Sequence, residues 1–304
     1  MKNNSVLLYS CFIMGAAFCW GIISVFVKGL TTLGFSAMEI VTIRVMVSCF
    51  LLFLYGYTMK RKEMKIAFKD TYLFIGTGIL SMAFFNWASF TSMNMISVSV
   101  SVILLYTAPA FVMVMSVMFL REKLTTSKII LLCMTLVGCL LVTGLKLSTL
   151  DQGNMLGYII GIGSGFGYAL YSIFGKFAIR KYSSFTVSFY TFLVASIALI
   201  PYTRIWEKFS MLMNMKALIY VLGLCLFSTV LAYLLYTEGL KVIESSKASI
   251  LATVEPLTAM IIGIIVFQES ITAIQIVGGA IIFVSAILAS VDVRKLIKKS
   301  QIIS

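Results

Sequence analysis

The sequence predicts an all-α membrane protein in which ten transmembrane helices form two inverted five-helix repeats, with both termini on the cytoplasmic side. Three observations predict this fold class. Of the 304 residues, 61% are hydrophobic and only 12% are charged, which is too little charge to cover a soluble protein of this size. The apolar residues form runs of about 20, the length that crosses a bilayer as a helix. Finally, two halves of the chain resemble each other.

Ten apolar runs, each bounded by polar or charged residues, are predicted to be helices. Their length excludes barrel strands, which would alternate over ~10 residues. The first run, 6–27, is longer than the apolar region of a signal peptide, and no small-residue cleavage site follows it. We therefore predict a retained first helix. In order, the runs lie near 5–28, 38–58, 72–92, 96–119, 127–146, 155–176, 185–203, 217–237, 247–267 and 272–291.

The basic residues are divided unequally between the two sides of the predicted membrane. The termini and breaks on the N-terminal side hold 18 of the 24 lysines and arginines, and the other breaks hold five. Because short cytoplasmic loops are enriched in Lys and Arg, both termini are predicted to be cytoplasmic. This topology explains the net charge of +13 without a nucleic-acid partner, since the basic residues lie in short loops. The remaining basic residue, Arg44, lies within predicted helix 2 and not in a loop.

The halves, 1–148 and 149–304, are related at two places. Predicted helices 1 and 6 match at an offset of 148, and predicted helices 4 and 9 match at an offset of 147. Five helices in each half place the second copy upside down, an arrangement that marks many transporters, with the substrate site near the midplane between the halves. The identical pairs are Gly15/Gly163, Phe18/Phe166, Ser24/Ser172, Phe26/Phe174, Lys28/Lys176, Ile103/Ile250, Leu104/Leu251, Pro109/Pro256, Met113/Met260, Glu122/Glu269 and Thr125/Thr272.

These motifs resemble the EamA-type members of the drug/metabolite transporter superfamily. The resemblance rests on the 5+5 arrangement, on Pro109 followed by LREKLT, and on Glu255–Pro256 followed by FQESIT. It covers nearly the whole chain and implies a multi-pass exporter or exchanger of amino acids or other small metabolites in the bacterial cytoplasmic membrane. Organellar relatives carry phosphorylated sugars and nucleotide sugars. Gln268 departs from the pattern, which usually has an apolar residue or glycine there.

The prolines and two buried charges are the first candidate site residues. Pro109 and Pro256 lack an amide hydrogen and free the carbonyls of Leu105 and Ala252, so each is predicted to kink its helix and expose backbone to a cavity. The alternative is a packing kink. Glu255 lies deep in an apolar run and is predicted to meet a substrate ammonium or a coupling proton, or else to be a protonated acid bonded to a carbonyl.

Arg44 is too deep in predicted helix 2 for easy snorkelling. It suits bidentate binding of a carboxylate or phosphate, or a structural ion pair with an acid such as Glu255, which is the preferred alternative. Polar aromatic and amide side chains in mid-helix suit a wet cavity for a partly apolar solute. Those predicted to line it are Trp20, Asn86, Trp87, Tyr106, Tyr168, Tyr233 and Tyr236.

Predicted helix 6 carries Gly157, Gly161 and Gly165 at a spacing of four, which predicts a close helix–helix seam. Packing within a monomer is preferred here to homodimerisation. The chain has no histidine and no C-x-x-C among its six cysteines, so no catalytic triad, metal site or other cofactor is predicted.

Three classes of function are compatible with a multi-pass membrane chain: a transporter, a membrane enzyme, and a receptor or scaffold. A secondary transporter is preferred, since the sequence contains no G-x-x-x-x-G-K-[ST] motif for ATP. A membrane enzyme of lipid or isoprenoid chemistry would need clustered acids or histidines at a membrane face, and the sequence lacks such a cluster. A receptor or scaffold would gain nothing from inverted duplication. One deep carboxylate and one deep arginine favour an amino-acid zwitterion over a sugar phosphate, which carries about two negative charges.

Overall fold

A computed structural model describes residues 2–144 and 154–290, and within these ranges every regular element is helical. Within these described ranges, nine helices are long and apolar enough to cross a membrane, and one further apolar helix has 17 residues. The predicted all-α membrane class is therefore confirmed for the described residues. In chain order the helices are α1 Ser5–Thr32, α2 Ala37–Met59, α3 Phe68–Met95, α4 Val98–Leu120, α5 Thr126–Val142, α6 Met155–Ile179, α7 Ser184–Thr203, α8 Met215–Gly239, α9 Ser245–Phe267 and α10 Ala273–Ser290.

Helices α4 and α9 are broken a few residues before their prolines. In α4 the segments are Val98–Leu105 and Ala108–Leu120, and in α9 they are Ser245–Ala252 and Val254–Phe267. Each proline therefore lies in the first turn of its second segment, where a helix does not need the missing N–H. The sequence predicted the interruption but placed it at the proline.

Helices α3 and α8 each contain a π-helical stretch, Gly76–Ala83 and Leu226–Leu231. The two stretches occupy overlapping positions when the halves are aligned at an offset of 148. A π-helical stretch shifts the side chains that follow it and often marks a functional site. Nothing in the composition of these apolar runs predicted it.

The helices pack in a similar way in the two halves of the chain. Helix α1 packs on α8 and α9, as α6 packs on α3 and α4. Helix α2 pairs with α7, and α5 pairs with α10. In the α5–α10 contact, a Cβ on Gly278 would lie 2.9 Å from the carbonyl oxygen of Gly138, so the two backbones are in close contact.

The glycine seam of α6 lies against α3 and α4. A Cβ on Gly157 would meet Met95 and Ile96, one on Gly161 would meet Ser92 and Leu104, and one on Gly165 would meet the carbonyl oxygen of Leu104 at 2.8 Å. The predicted close packing within one chain is therefore confirmed at this seam.

Loops α2–α3, α4–α5, α6–α7 and α8–α9 lie on one face, which we call the basic face. Lys181 in the α6–α7 turn donates to Asp70 at 2.6 Å, and Ser184 donates to Glu238 at 2.8 Å. The other face is called the opposite face.

Of the basic residues counted above, Lys146, Arg294, Lys295, Lys298 and Lys299 lie outside the described residues.

Helices α4 and α9 end in the same way on these two faces. Arg121 and Gln268 both adopt the left-handed conformation, with φ of 58° and 56°. The amide of Glu122 donates to Ser116 O and that of Glu269 to Gly263 O, each at 3.1 Å. The departure at Gln268 therefore leaves the backbone of the duplicated loop unchanged.

Candidate functional site

The two broken helices meet at one small cavity. Its lining contains residues from both sides of the interruption in each helix. Its volume of about 20 Å³ has room for roughly one water molecule. Residues at both interruptions therefore contribute to the lining of one cavity. The lining residues are Leu105, Tyr106, Ala108, Pro109, Tyr168, Ser249, Ala252, Thr253 and Glu255.

The carbonyls near the breaks are partly satisfied by threonine hydroxyls. Thr107 Oγ1 donates to Leu104 O at 2.6 Å, and Thr253 Oγ1 donates to Ile250 O at 2.6 Å. Leu105 O lies beside Gly165, where a Cβ would be 3.2 Å away. An interruption of this kind inside a membrane is tolerated where it is covered by protein or lines a cavity.

Glu255 lies in the first turn of the second segment of α9 and is partly buried. Together with Tyr106 and Tyr168, it lines the small cavity. Within the described residues it forms neither a hydrogen bond nor an ion pair. The first turn of a helix favours a negative charge, because the helix dipole is positive there.

A cluster of aromatic side chains lies next to this cavity. The Trp20 ring contacts Tyr168, Tyr233 and Tyr236, with centroids 6.4, 5.4 and 5.3 Å away. Tyr171 contacts Tyr233 at 5.1 Å. The structure therefore brings together four of the predicted aromatic residues, drawn from α1, α6 and α8, and places Tyr106 beside them across Tyr168.

Two hydrogen bonds orient the tyrosines of this cluster. The hydroxyls of Tyr171 and Thr237 are 2.8 Å apart, and those of Tyr236 and Ser172 are 2.6 Å apart. These bonds satisfy the polar ends of buried rings. A second cavity, of about 10 Å³, lies among the rings.

Arg44 is 6% exposed and lies near the other end of the cluster. Its Nη2 is 3.9 Å from Met82 Sδ, to which the Tyr233 hydroxyl also donates at 3.4 Å. No carboxylate in the described ranges lies within ion-pair distance of it, and its Nε has no hydrogen-bond partner there. Arg44 and Glu255 therefore form no ion pair within 4.0 Å among the described residues, and the preferred prediction of such a pair does not match this geometry.

Asn86 and Trp87 are adjacent in sequence but lie in different environments. Asn86 is buried, and its Nδ2 donates to Met82 O at 2.7 Å, just after the π-helical stretch of α3. Trp87 is 37% exposed and contacts Phe84 at a centroid distance of 6.0 Å. The structure does not bring Trp87 to the site, because one residue along a helix turns the side chain by about 100°.

A larger cavity opens toward the opposite face. It has a volume of about 230 Å³ and is separated from the small cavity by Tyr106, which lines both. Its walls come from α4, α5, α9 and α10, and Glu269 and Gln275 supply polar groups at its mouth. The larger cavity, the small cavity and the cavity among the rings are thus arranged in that order from the opposite face to the Trp20 cluster.

Sequence reasoning missed Met82 and Tyr171. Tyr171 follows Tyr168 by three residues and lies on the same side of α6, so that spacing was the available signal. Met82 had none, since its position beside Arg44 depends on the π-helical stretch that contains it.

Comparison with known proteins gives a consistent result. The EamA-like transporter family model matches residues 7–144 and 155–291. An uncharacterized transporter of Archaeoglobus fulgidus is 31% identical over 215 residues, covering 69% of this chain and 75% of that protein. The uncharacterized transporter YwfM of Bacillus subtilis is 24% identical over 301 residues, covering 97% of each chain. One crystal structure shares the fold, with a TM-score of 0.79 and 15% identity over 96% of this chain and 99% of that chain.

Proposed function

Because the chain belongs to the EamA-like transporter family, we propose that it is a secondary transporter that exports or exchanges an amino acid or related zwitterion across the cytoplasmic membrane. It works by alternating access, with ten transmembrane helices in two inverted repeats and both termini inside. Family membership favours this over a membrane enzyme or a scaffold. The proposed partners are the lipid bilayer and the small-molecule substrate, and the protein acts as a monomer.

The observation that carries the substrate class is a pair of charged side chains beside the aromatic cluster, neither of which forms an ion pair with the described residues. Glu255 lies next to Tyr168, and Arg44 lies next to Tyr233 through Met82. Trp20 contacts both tyrosines. An amino acid brings one ammonium for the carboxylate and one carboxylate for the guanidinium, so each buried charge gains a partner on binding. The aromatic faces between them suit an apolar side chain and a cation.

A sugar phosphate fits these charges less well. It carries about two negative charges at neutral pH, whereas Arg44 is the only cation of the described residues that is buried beside the cluster. Lys128 is also buried, but it is paired with Glu122 and Glu244 at the basic face. A phosphate would therefore face one cation and the Glu255 carboxylate.

The substrate does not fit the small cavity as it stands. Its volume of about 20 Å³ holds roughly one water molecule, so binding requires α4 and α9 to separate at their interruptions. The adjoining cavity of about 230 Å³ gives the substrate a route from the opposite face. This arrangement fits a site that is reached from one side at a time.

Counterflow in proteoliposomes tests the proposal. Vesicles loaded with unlabelled amino acids are expected to accumulate labelled amino acid from the outside, because an exchanger couples the outward gradient to inward movement of label. Vesicles loaded with sugar phosphates, and vesicles without protein, are the controls. Accumulation of sugar phosphate but not of amino acid would contradict the substrate class. Accumulation of neither, across a broad metabolite panel, would contradict transport itself.

The proposed orientation has its own test. A reporter inserted near Lys65 is expected to be cytoplasmic, and one inserted near Asp151, which lies outside the described residues, is expected to be external. The unequal distribution of basic residues is the physical reason. A matched pair of alkaline phosphatase and fluorescent-protein fusions at each position measures sidedness. Finding both positions on one side would contradict the inverted repeat.

A further inference from the structure

Glu122 ties the α4–α5 loop to the start of α9 on the basic face. Its Oε1 accepts from the Ser245 amide at 2.6 Å, and its Oε2 accepts from the Ser246 amide at 3.2 Å and from the Ser246 hydroxyl at 2.5 Å. The side chain is only 7% exposed. A carboxylate at a helix N-terminus satisfies free amides and is attracted by the helix dipole, so this is a strong contact.

Two lysines strengthen the same closure. Lys176 in α6 donates to the carbonyl of Leu240 and, at 2.8 Å, to that of Ile243, both in the α8–α9 turn. Lys128 in α5 lies 3.5 Å from Glu122 and 3.0 Å from Glu244. Residues 240–246 are thus held by three neighbouring elements, and the basic face is closed at this point.

The duplicated counterpart, Glu269, is in a different state. Its backbone amide makes the same kind of hydrogen bond as that of Glu122 and also follows a left-handed residue. Its side chain, however, is exposed and folds back on its own helix, where a Cβ on Gly263 would lie 2.6 Å from its Oε2. No hydrogen bond joins its carboxylate to the described residues at the start of α4. Instead, the cavity of about 230 Å³ has Glu269 on one wall and Val102 of α4 on another.

The start of α4 nevertheless offers Glu269 the same donors. Val98 and Ser99 stand 147 positions before Ser245 and Ser246, on the opposite face. Both are exposed, and the Ser97 hydroxyl already accepts from the amide of Val100, leaving the amides of Val98 and Ser99 free of helix-internal partners. Ser99 also repeats the hydroxyl of Ser246.

The duplicated lysines show the same asymmetry. Lys28 is related to Lys176, but its Nζ lies 3.9 Å from the centroid of the Phe267 ring rather than on backbone carbonyls of the α3–α4 turn. In each of these two pairs, the residue on the basic face therefore binds backbone groups of the facing turn, and its counterpart on the opposite face does not.

We propose that Glu122 and Glu269 are alternating gate residues. Glu122 binds the N-terminus of α9 when the basic face is closed, and Glu269 binds the N-terminus of α4, through Val98 and Ser99, when the opposite face is closed. The described structure is the state closed at the basic face. This inference rests on the proposed alternating access, but it makes no assumption about the substrate.

Thiol labelling tests it without any transport assay. In a background in which all six native cysteines are replaced, one reporter cysteine replaces Ser249, which is buried beneath the α8–α9 turn, and another replaces Val102, which lines the opposite-face cavity. The labelling rate of each by a hydrophilic maleimide in nanodiscs reports opening of one face. Glu122→Gln is expected to raise the rate at position 249 about tenfold and to lower the rate at position 102.

Adding Glu269→Gln to Glu122→Gln is expected to return both rates toward those of the starting protein, because it weakens the competing closed state. Glu238→Gln is the matched control, since it removes a carboxylate from the same face that binds Lys241 and Ser184 but no α9 amide. It should leave both rates unchanged. Unchanged rates in Glu122→Gln, or a double variant labelled at position 249 as fast as Glu122→Gln alone, would overturn the inference.

Proline substitutions provide the second set of variants if Glu122→Gln does not fold. Ser245→Pro and Val98→Pro each remove one amide donor at the first residue of a helix segment, where proline is tolerated. Ser245→Pro should raise labelling at position 249, and Val98→Pro should reverse that change. The labelling rates are measured without any substrate. Counterflow that failed with every substrate would therefore contradict the transport proposal and leave the result for the gate unchanged.

Discussion

Glu255→Gln is expected to reduce amino-acid counterflow at least tenfold. The substitution keeps the size of the side chain but removes the charge that faces the substrate ammonium. Truncating one partner of a buried charge pair costs ~2–5 kcal/mol, much of it because the other charge is left without a partner. The same variant is expected to flatten any dependence of transport on a pH gradient, because it removes the only carboxylate among the described residues that line the small cavity, and with it a group that takes up a proton.

The comparison variant is Glu39→Gln. Glu39 lies at the start of α2, where its carboxylate accepts from the Ser36 amide at 2.8 Å in a capping box. Removing that charge should cost only a little stability and leave counterflow at the starting level. If Glu255→Gln transports amino acids normally while a neutral or anionic metabolite proves the better substrate, the zwitterion proposal is wrong.

Gly165→Ala is expected to destabilise the protein by ~1–3 kcal/mol, the usual cost of overpacking a core. The added Cβ would lie 2.6 Å from Thr107 Oγ1 and 2.8 Å from Leu104 O. These atoms belong to the break in α4, so relieving the contact requires a backbone shift. The thermal unfolding midpoint in detergent, followed by tryptophan fluorescence, should fall.

Gly163→Ala is the matched substitution on the same helix. Its Cβ would have Phe84 as its nearest neighbour, at 3.7 Å, which is an ordinary contact. Replacing a helical glycine by alanine otherwise stabilises a helix by ~1 kcal/mol, so this variant should unfold at or above the starting temperature. Equal midpoints for the two variants would show that the seam beside the α4 break tolerates a side chain.

Most of the helical architecture was predictable because lipid imposes simple demands. Backbone groups in hydrocarbon must be bonded within the helix, so each run of about 20 apolar residues predicts one element. The duplicated Pro109 and Pro256 predicted two interrupted helices, and the spacing of Gly157, Gly161 and Gly165 predicted a close contact. All these signals are local in the sequence or repeated in it.

The site was less predictable because its geometry depends on how the helices rotate. The positions of Asn86 and Trp87 along the helix made both equally good candidates for the cavity lining. Only the rotation of α3 places their side chains in different environments. Whether Arg44 and Glu255 form an ion pair depends on the distance between α2 and α9, which the positions of the two residues in the sequence do not give. The contact of Glu122 with α9, and the contact proposed for Glu269 with α4, were hidden because each joins residues more than 100 positions apart in the chain.

The pairing of α5 with α10 has a consequence for the surrounding lipid. Helix α5 has 17 residues and ends before Gly144, which adopts φ of 63°, so its length is about 26 Å at 1.5 Å per residue. A typical hydrocarbon core is about 30 Å thick. The close contact at Gly138 and Gly278 holds this helix against its partner, and a helix shorter than the hydrocarbon core is accommodated by local thinning of the bilayer or by flanking side chains that reach the interface.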